Sequence, residues 1–335
     1  MAAYTTIDDP EAYFQVKTYT GDGAGSLALT LDGDTDMQPD LVWIKNRSSG
    51  ENHALVDAVR GVGKQLLVNT NAREYANANS VSAFNSDGFT VGDLSDTNGS
   101  GNALVAWCWK ESAVSGMDII GYEGNATNRT ISHSLSAVPH FIIIKNRDST
   151  GASGEHWLVY HKSIDNTHGL LLNETNAKID DATYFQDTDP TSSVFSIGTA
   201  DRANKNTEDN ISYAWSEKQG FSKFGSFVGN GDNDGAFVFL GFRPAYVIVK
   251  RSSTTGNWVI WDNKRQTFNL LHKRLYTNLS DTEYDGDALG VDFLSNGFKI
   301  RTSTAEWNGD GDTMVYMAFA EAPLVNSEGV PANAR

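Results

Sequence analysis

Short apolar runs alternate with long polar turns along this chain, and the alternation has a period far longer than any secondary-structure repeat. The clearest run is Gly235-Ala236-Phe237-Val238-Phe239-Leu240-Gly241-Phe242-Arg243-Pro244-Ala245-Tyr246-Val247-Ile248-Val249-Lys250, which reads as two apolar arms of a hairpin about Gly241 and Pro244. Its second half recurs. Pro39-Asp40-Leu41-Val42-Trp43-Ile44-Lys45 and Pro139-His140-Phe141-Ile142-Ile143-Ile144-Lys145 make the same step from Pro through four apolar residues to Lys. A true repeat must preserve order and spacing along its whole length. Ahead of each Pro lies an aromatic residue and a glycine turn, at Tyr19-Thr20-Gly21, Tyr122-Glu123-Gly124 and Phe227-Val228-Gly229. After each Lys come His53-Ala54-Leu55-Val56, Trp157-Leu158-Val159-Tyr160 and Trp258-Val259-Ile260-Trp261, then a leucine step to Asn69, Asn173 or Asn278. Each copy closes on a strand ending in Glu111, Glu217 or Glu321.

These landmarks divide the chain into an N-terminal arm (1–12), three repeats (13–116, 117–219 and 220–323) and a C-terminal tail (324–335). Each repeat is about a hundred residues, a usual domain size. The runs are short, β-branched and aromatic, bounded by Gly, Asn, Asp and Ser, which predicts strands. No stretch of helical periodicity stands out; the best candidates are turns near Asn71 to Ala76 and Gln266 to Lys273. The expected fold is therefore all-β, three tandem β-sandwich repeats of a jelly-roll or lectin-like kind. Its third copy, with the longest apolar stretch, is expected in a packed or central position.

Alternate residues of a strand face opposite sides, and the closing strands put Val105, Trp107 and Trp109, Ile211, Tyr213 and Trp215, or Val315, Met317 and Phe319 on one face. Small residues, Ala106 and Cys108, Ala214 and Ser216, Ala318 and Ala320, fill the other. This predicts a bulky face in the inter-sheet core and a small face against a concave or closely packed surface. The terminal Glu of each strand is expected to pair with Lys45, Lys145 or Lys250. No second acid recurs beside it, which disfavours a glycan-cleaving pair of carboxylates.

Composition changes the picture in a few places. A formal charge of −16 opposes a nucleic-acid partner. The lone Cys108 allows no intrachain disulfide. No apolar run is long enough to span a bilayer, and Met1 to Thr6 lack a secretory pattern. Arg60-Gly61-Val62-Gly63-Lys64 lacks the spacing of a phosphate loop and reads as a plain loop. Asp32, Asp34 and Asp36 form the best metal candidate, for Ca²⁺, but the segment has no acid at the closing position and acidic turns are favoured. No cofactor is expected. Five histidines, His133, His140, His156, His161 and His168, crowd the second repeat without a metal-ligand spacing and read as scattered surface residues. The arm reads as a loose terminus, or alternatively as a docking arm on a neighbouring subunit.

Certain strings are more specific. Tyr4-Thr5-Thr6-Ile7-Asp8-Asp9-Pro10, Pro39 to Arg47, Ala106-Trp107-Cys108-Trp109-Lys110, Gly220-Phe221-Ser222-Lys223-Phe224-Gly225-Ser226 and Ala318 to Pro323 resemble a repeat domain in virion proteins of marine tailed bacteriophages. The resemblance covers nearly the whole chain. It implies a particle component, tail-fibre-like, that assembles in the host cytoplasm and works in the virion with other virion proteins, as a homotrimer or as a single chain with threefold pseudosymmetry. The function expected is a tail fibre or tail-tip appendage that contacts a host-surface glycan, without enzymatic activity; the alternative is a capsid-decorating or scaffold protein with no ligand. Trp307, Asp310 and Asp312 are the candidate ligand residues, because Trp307 is the aromatic least explained by a strand core and sugars stack on exposed aromatics. The loops after Asn69, Asn173 and Asn278 differ most among the repeats, which leans towards recognition.

Overall fold

In a computed structural model, residues 3–149, 155–286 and 289–331 are described. The protein is all-β, and the same strand order recurs three times. In the first unit the larger antiparallel sheet runs Phe14–Thr20, Ala103–Trp109, Leu41–Asn46, Ala54–Asp57, Lys64–Leu67 and Tyr75–Ala76. The second unit repeats it as Met117–Glu123, Asp209–Trp215, Phe141–Asn146, Leu158–His161, His168–Leu171 and Ile179–Asp180. Five strands do the same in the third: Ser222–Val228, Thr313–Pro323, Phe242–Arg251, Trp258–Asp262 and Leu275–Tyr276. A smaller sheet accompanies each unit, of two strands in the second and three in the others.

The two faces of the closing strands are used in the opposite sense to the one expected. Val42, Ile44, Ala106 and Cys108 pack with Leu29, Val81, Phe89 and Val91 of the small sheet, so the small-residue face makes the sandwich interior. The second unit does likewise with Ile142, Ile144 and Ala214 against Ile131, Phe195 and Ile197. The bulky faces of all three units instead meet one another. Trp107, Trp109, Tyr213, Trp215, Met317 and Phe319 belong to one shared core. Ring contacts cross between units, with Trp109 at 6.2 Å from Trp215 and 5.7 Å from Phe319, both edge-on. The tryptophans are therefore the glue of a threefold ring, since aromatic side chains bury the most area per residue and edge-to-face packing adds to it. At its centre Leu41, Phe141, Tyr246 and their neighbours leave only about 10 Å³, room for one water at most.

Three equivalent clasps tie the seams. Lys45, Lys145 and Lys250 are fully buried, and each ammonium bridges carbonyls of its own loop to one carbonyl of the neighbouring unit: Ser280 at 3.0 Å, Asn71 at 3.5 Å and Thr175 at 3.1 Å. Burial pushes their pKa values down to about 8, 8 and 7. The expected pairing with Glu111, Glu217 and Glu321 does not occur. Register explains this: Lys45 lies opposite Val105, whereas Leu41 lies opposite Trp109, so lysine and glutamate sit at opposite ends of the sheet. Glu217 pairs with Lys162 at 2.6 Å and Glu321 with Arg243 at 3.2 Å.

Other expectations also change. The arm is not loose: Tyr4 donates to the Gly241 carbonyl (2.8 Å), Thr5 to that of Gln219 (2.8 Å), and Ile7 enters the shared core, so the arm docks on its own chain, at the third unit and the junction leading into it. Phe237–Phe239 and Phe242–Arg251 are not a hairpin, because Gly241 (φ +83°) carries the chain from the small sheet to the large one and Pro244 lies within the second strand at a bulge. The short helices are Ser95–Asn98, Ala182–Phe185, Asp201–Asn204 and Ala305–Asn308, not the turns near 71–76 and 266–273. Three of them end in a buried Asn whose side chain clamps the opening turn of its unit: Asn98 accepts from the Asp22 N–H (2.9 Å), Asn204 from Asn125 (2.9 Å) and Asn308 from Asn230 (3.1 Å).

Candidate functional site: the outer face of the third unit

The nominated residues do not form one surface. Trp307 is 1% exposed, edge-on to Trp261 at 5.3 Å with the Arg274 guanidinium 5.2 Å from its ring. It is a core tryptophan and offers no face to a sugar, which corrects the expectation of an exposed aromatic. The short helix Ala305–Asn308 turns it inward, because Asn308 must reach the opening turn. Asp312 is held by Arg251 and by the Ser253 hydroxyl (2.9 Å), while Asp310 is exposed. Asp32, Asp34 and Asp36 are exposed and are not drawn together; Asp32 pairs with Lys17 at 2.5 Å. Among the described residues no group of three or more metal-ligating side chains converges. His161 is not a surface residue: it is fully buried, Nδ1 accepts from the Ser163 N–H (3.0 Å) and Nε2 donates to the Tyr316 carbonyl (3.0 Å). Burial pushes its pKa down to about 4.

A different surface separates one unit from the others. In the small sheets, register aligns Ala28 with Thr90, Thr130 with Ser196, and Phe237 with Lys299. Two residues further along the same face, Thr30 and Ser132 correspond to Phe239. Val238, Phe298, Ile300, Val291 and Phe293 are buried, so by strand alternation Phe237, Phe239, Lys299, Arg301 and Asp292 face outward. The first two units thus show alanine, serine and threonine where the third shows aromatics and charges. Phe237 is 46% exposed and Phe239 50%.

The face extends past its last strand. Leu271 bridges to Val291, and the Asn269 side chain exchanges hydrogen bonds with the Phe293 backbone (2.8 and 2.9 Å), so the 269–271 loop borders the sheet. Between loop and strands lies an open cleft of about 660 Å³ lined by Asn233, Asn269, Leu270, Leu289, Asp292 and Arg301. Phe268, beside this lining, is 80% exposed, a large apolar exposure for one side chain. Arg301 lies 3.4 Å from Asp292 and 3.9 Å from Asp234, and Asp234 also holds Lys299 at 2.8 Å. Lys299, Arg301, Asp234 and Asp292 compensate one another, Lys223 adds a cation over the Phe239 ring (5.3 Å), and hydrogen-bonding capacity remains on Arg301 and Asp292. Sequence comparison of the repeats carries the signal, since Phe237 and Phe239 stand where the other copies have small residues. It is missed when the same phenylalanines are read as arms of a hairpin.

No curated protein and no solved structure matches the chain. A single family profile spans residues 9–323, and so takes in all three units: the chain belongs to the family described as Domain of unknown function (DUF7483).

Proposed function

We propose that the chain is a structural protein of a tailed-phage virion, a tail-fibre or tail-tip appendage that contacts the host surface through the outer face of its third unit, a glycan being the surface chemistry it meets. One observation carries the reading: three units share one architecture and one core, yet the third exposes Phe237 and Phe239 at positions where the others carry small or polar residues, beside a cleft lined by Asp292 and Arg301. A brick would have no need of this difference, and exposed aromatics rimmed by polar groups mark interaction sites. The resemblance of the arm and closing strands to marine phage virion proteins supports the particle context. The decorating alternative would use the arm and the tail after Pro323 as ties to neighbours, and of these the arm is already held by its own chain.

The test is to add purified protein to a panel of marine bacterial strains and measure binding and competition with phage adsorption. Saturable binding that blocks adsorption, and that weakens in a Phe237→Ala, Phe239→Ala variant, is the expected result. Absence of binding to every strain whose phages carry this protein would leave the decorating role instead.

A further inference from the structure

We infer that the outer face of the third unit is a binding site for a neutral oligosaccharide, with Asp292 and Arg301 as the hydrogen-bonding pair and Phe237 and Phe239 as the stacking platform; this rests on the host-contact reading. The ligand class follows from what the side chains have left to offer. Lys299 is already committed, to the Gly235 carbonyl at 2.9 Å and to Asp234. Asn233 accepts the Ser303 N–H at 2.9 Å, and its amide N–H₂ remains to donate. Arg301 is 44% exposed, and both its ion pairs are longer than a hydrogen bond. Asp292, with its side chain 21% exposed, accepts. A donor beside an acceptor on one strand pair is the complement of two adjacent hydroxyls, each of which both donates and accepts.

Charge decides between neutral and acidic sugars. Lys299 and Arg301 are balanced by Asp234 and Asp292, which leaves Lys223, donating to the Phe239 carbonyl at 3.0 Å with its ammonium 5.3 Å from the Phe239 ring, as a cation at the edge of the face. The chain as a whole carries −16 and repels a polyanion on approach. A bound carboxylate would also have to displace Asp234 or Asp292 from Arg301. A neutral saccharide meets none of these costs, and its C–H faces pack on exposed rings.

Geometry sets a minimum length. Phe237, Lys299 and Asp292 lie in register on three neighbouring strands, which separates Phe237 from Asp292 by about 10 Å at the usual strand spacing. One hexose cannot touch both. The site therefore takes at least two linked sugars, one in the cleft and the next over the phenylalanines.

The experiment is calorimetric titration of the full chain with neutral mono-, di-, tri- and tetrasaccharides and with uronate-containing oligosaccharides of matched length, alongside the cell-binding measurement. Neutral trisaccharides are expected to bind better than monosaccharides. Asp292→Asn and Arg301→Met should each weaken binding about ten-fold or more, because the first exchanges a charged acceptor for a weaker neutral one and the second removes the donor. The Phe237→Ala, Phe239→Ala variant should lose the advantage of the di- and longer saccharides over the monosaccharide. Circular dichroism and a urea midpoint check that each variant is folded. Tighter binding of uronate oligosaccharides, unchanged binding in folded Asp292→Asn and Arg301→Met, or cell binding with no neutral saccharide bound, would each overturn the inference and leave the host-contact reading standing. Failure to bind cells at all would overturn that reading first.

Discussion

Two of the three seams in this ring are built alike and the third is not. Between the third and first units, Arg265 pairs with Asp262 at 2.5 Å and with Glu283 at 2.9 Å, Glu283 reaches across to Arg47 at 2.6 Å, and Trp107 donates to Asp262 at 3.0 Å. Between the first and second units, Arg60, Asp57, Glu74, Arg147 and Tyr213 reproduce the arrangement. At the seam of the second and third units the same places hold Ile164, His161, Lys178, Ser252 and Met317. There the main-chain contact survives, Lys178 N–H to Ser252 carbonyl at 2.9 Å, as does the Trp258 bond to the Leu171 carbonyl at 2.8 Å. The ring closes with or without the charges. Tryptophan packing and the lysine clasps hold the seams, and the buried ion networks are one of two workable fillings of the same space. This accords with the general finding that buried ion pairs contribute little net stability over well-packed apolar residues.

The sharpest way to break the comparison is to strand a charge. Arg265→Ile, which copies Ile164, leaves the fully buried Asp262 without its cation and is expected to cost about 3–5 kcal/mol in urea unfolding. Adding Asp262→His, which copies His161 and removes the stranded carboxylate, should recover most of that loss. A double variant as unstable as the single would show that the seams are not interchangeable. A smaller effect is expected from Tyr213→Phe, about 1.5–3 kcal/mol, because it removes one buried hydrogen bond to Asp57 (2.7 Å) and leaves the ring in place. Met317→Leu at the equivalent position has no such bond to lose and should cost less than about 1.5 kcal/mol.

The subtlest test lies at the other end of the sheets. Burial, together with Asp118 and Asp40 nearby, pushes the Glu111 pKa up to about 7. The folded chain keeps a proton that the unfolded chain releases near pH 4.5. The stability gained is therefore complete below that pH and lost as pH rises towards 7. Urea midpoints measured across this range should fall, and Asp118→Asn should flatten the fall; an unchanged slope in that variant would remove Asp118 as a cause.

The strand pattern, the repeat and the position of the closing strands were legible because each depends on periodicity within a few residues. Asn69, Asn173 and Asn278 were visible as landmarks, and their reason is now plain: each accepts the backbone N–H of His53, Trp157 or Trp258 at 2.9–3.0 Å. Which face of the closing strand is shared among units was not legible, since alternation separates two faces without naming their partners. The helices before those strands span one turn and carry no periodic signal. Their Asn98, Asn204 and Asn308 did carry one, each standing at the same distance ahead of Trp107, Tyr213 and Met317. Trp307 misled because a tryptophan among Asn, Gly and Asp looks like a loop residue, whereas its neighbour's clamp turns it into the core.

Joining three copies in one polypeptide also changes valency. A homotrimer must place any substitution on all three of its faces, whereas here Phe237 and Phe239 occur once per ring. Under the proposed host-contact function each ring presents a single binding face, and tenacity on a surface would come from the number of rings and the reach between them. Weak individual contacts, multiplied at high effective concentration, can release and rebind as the whole moves across a surface.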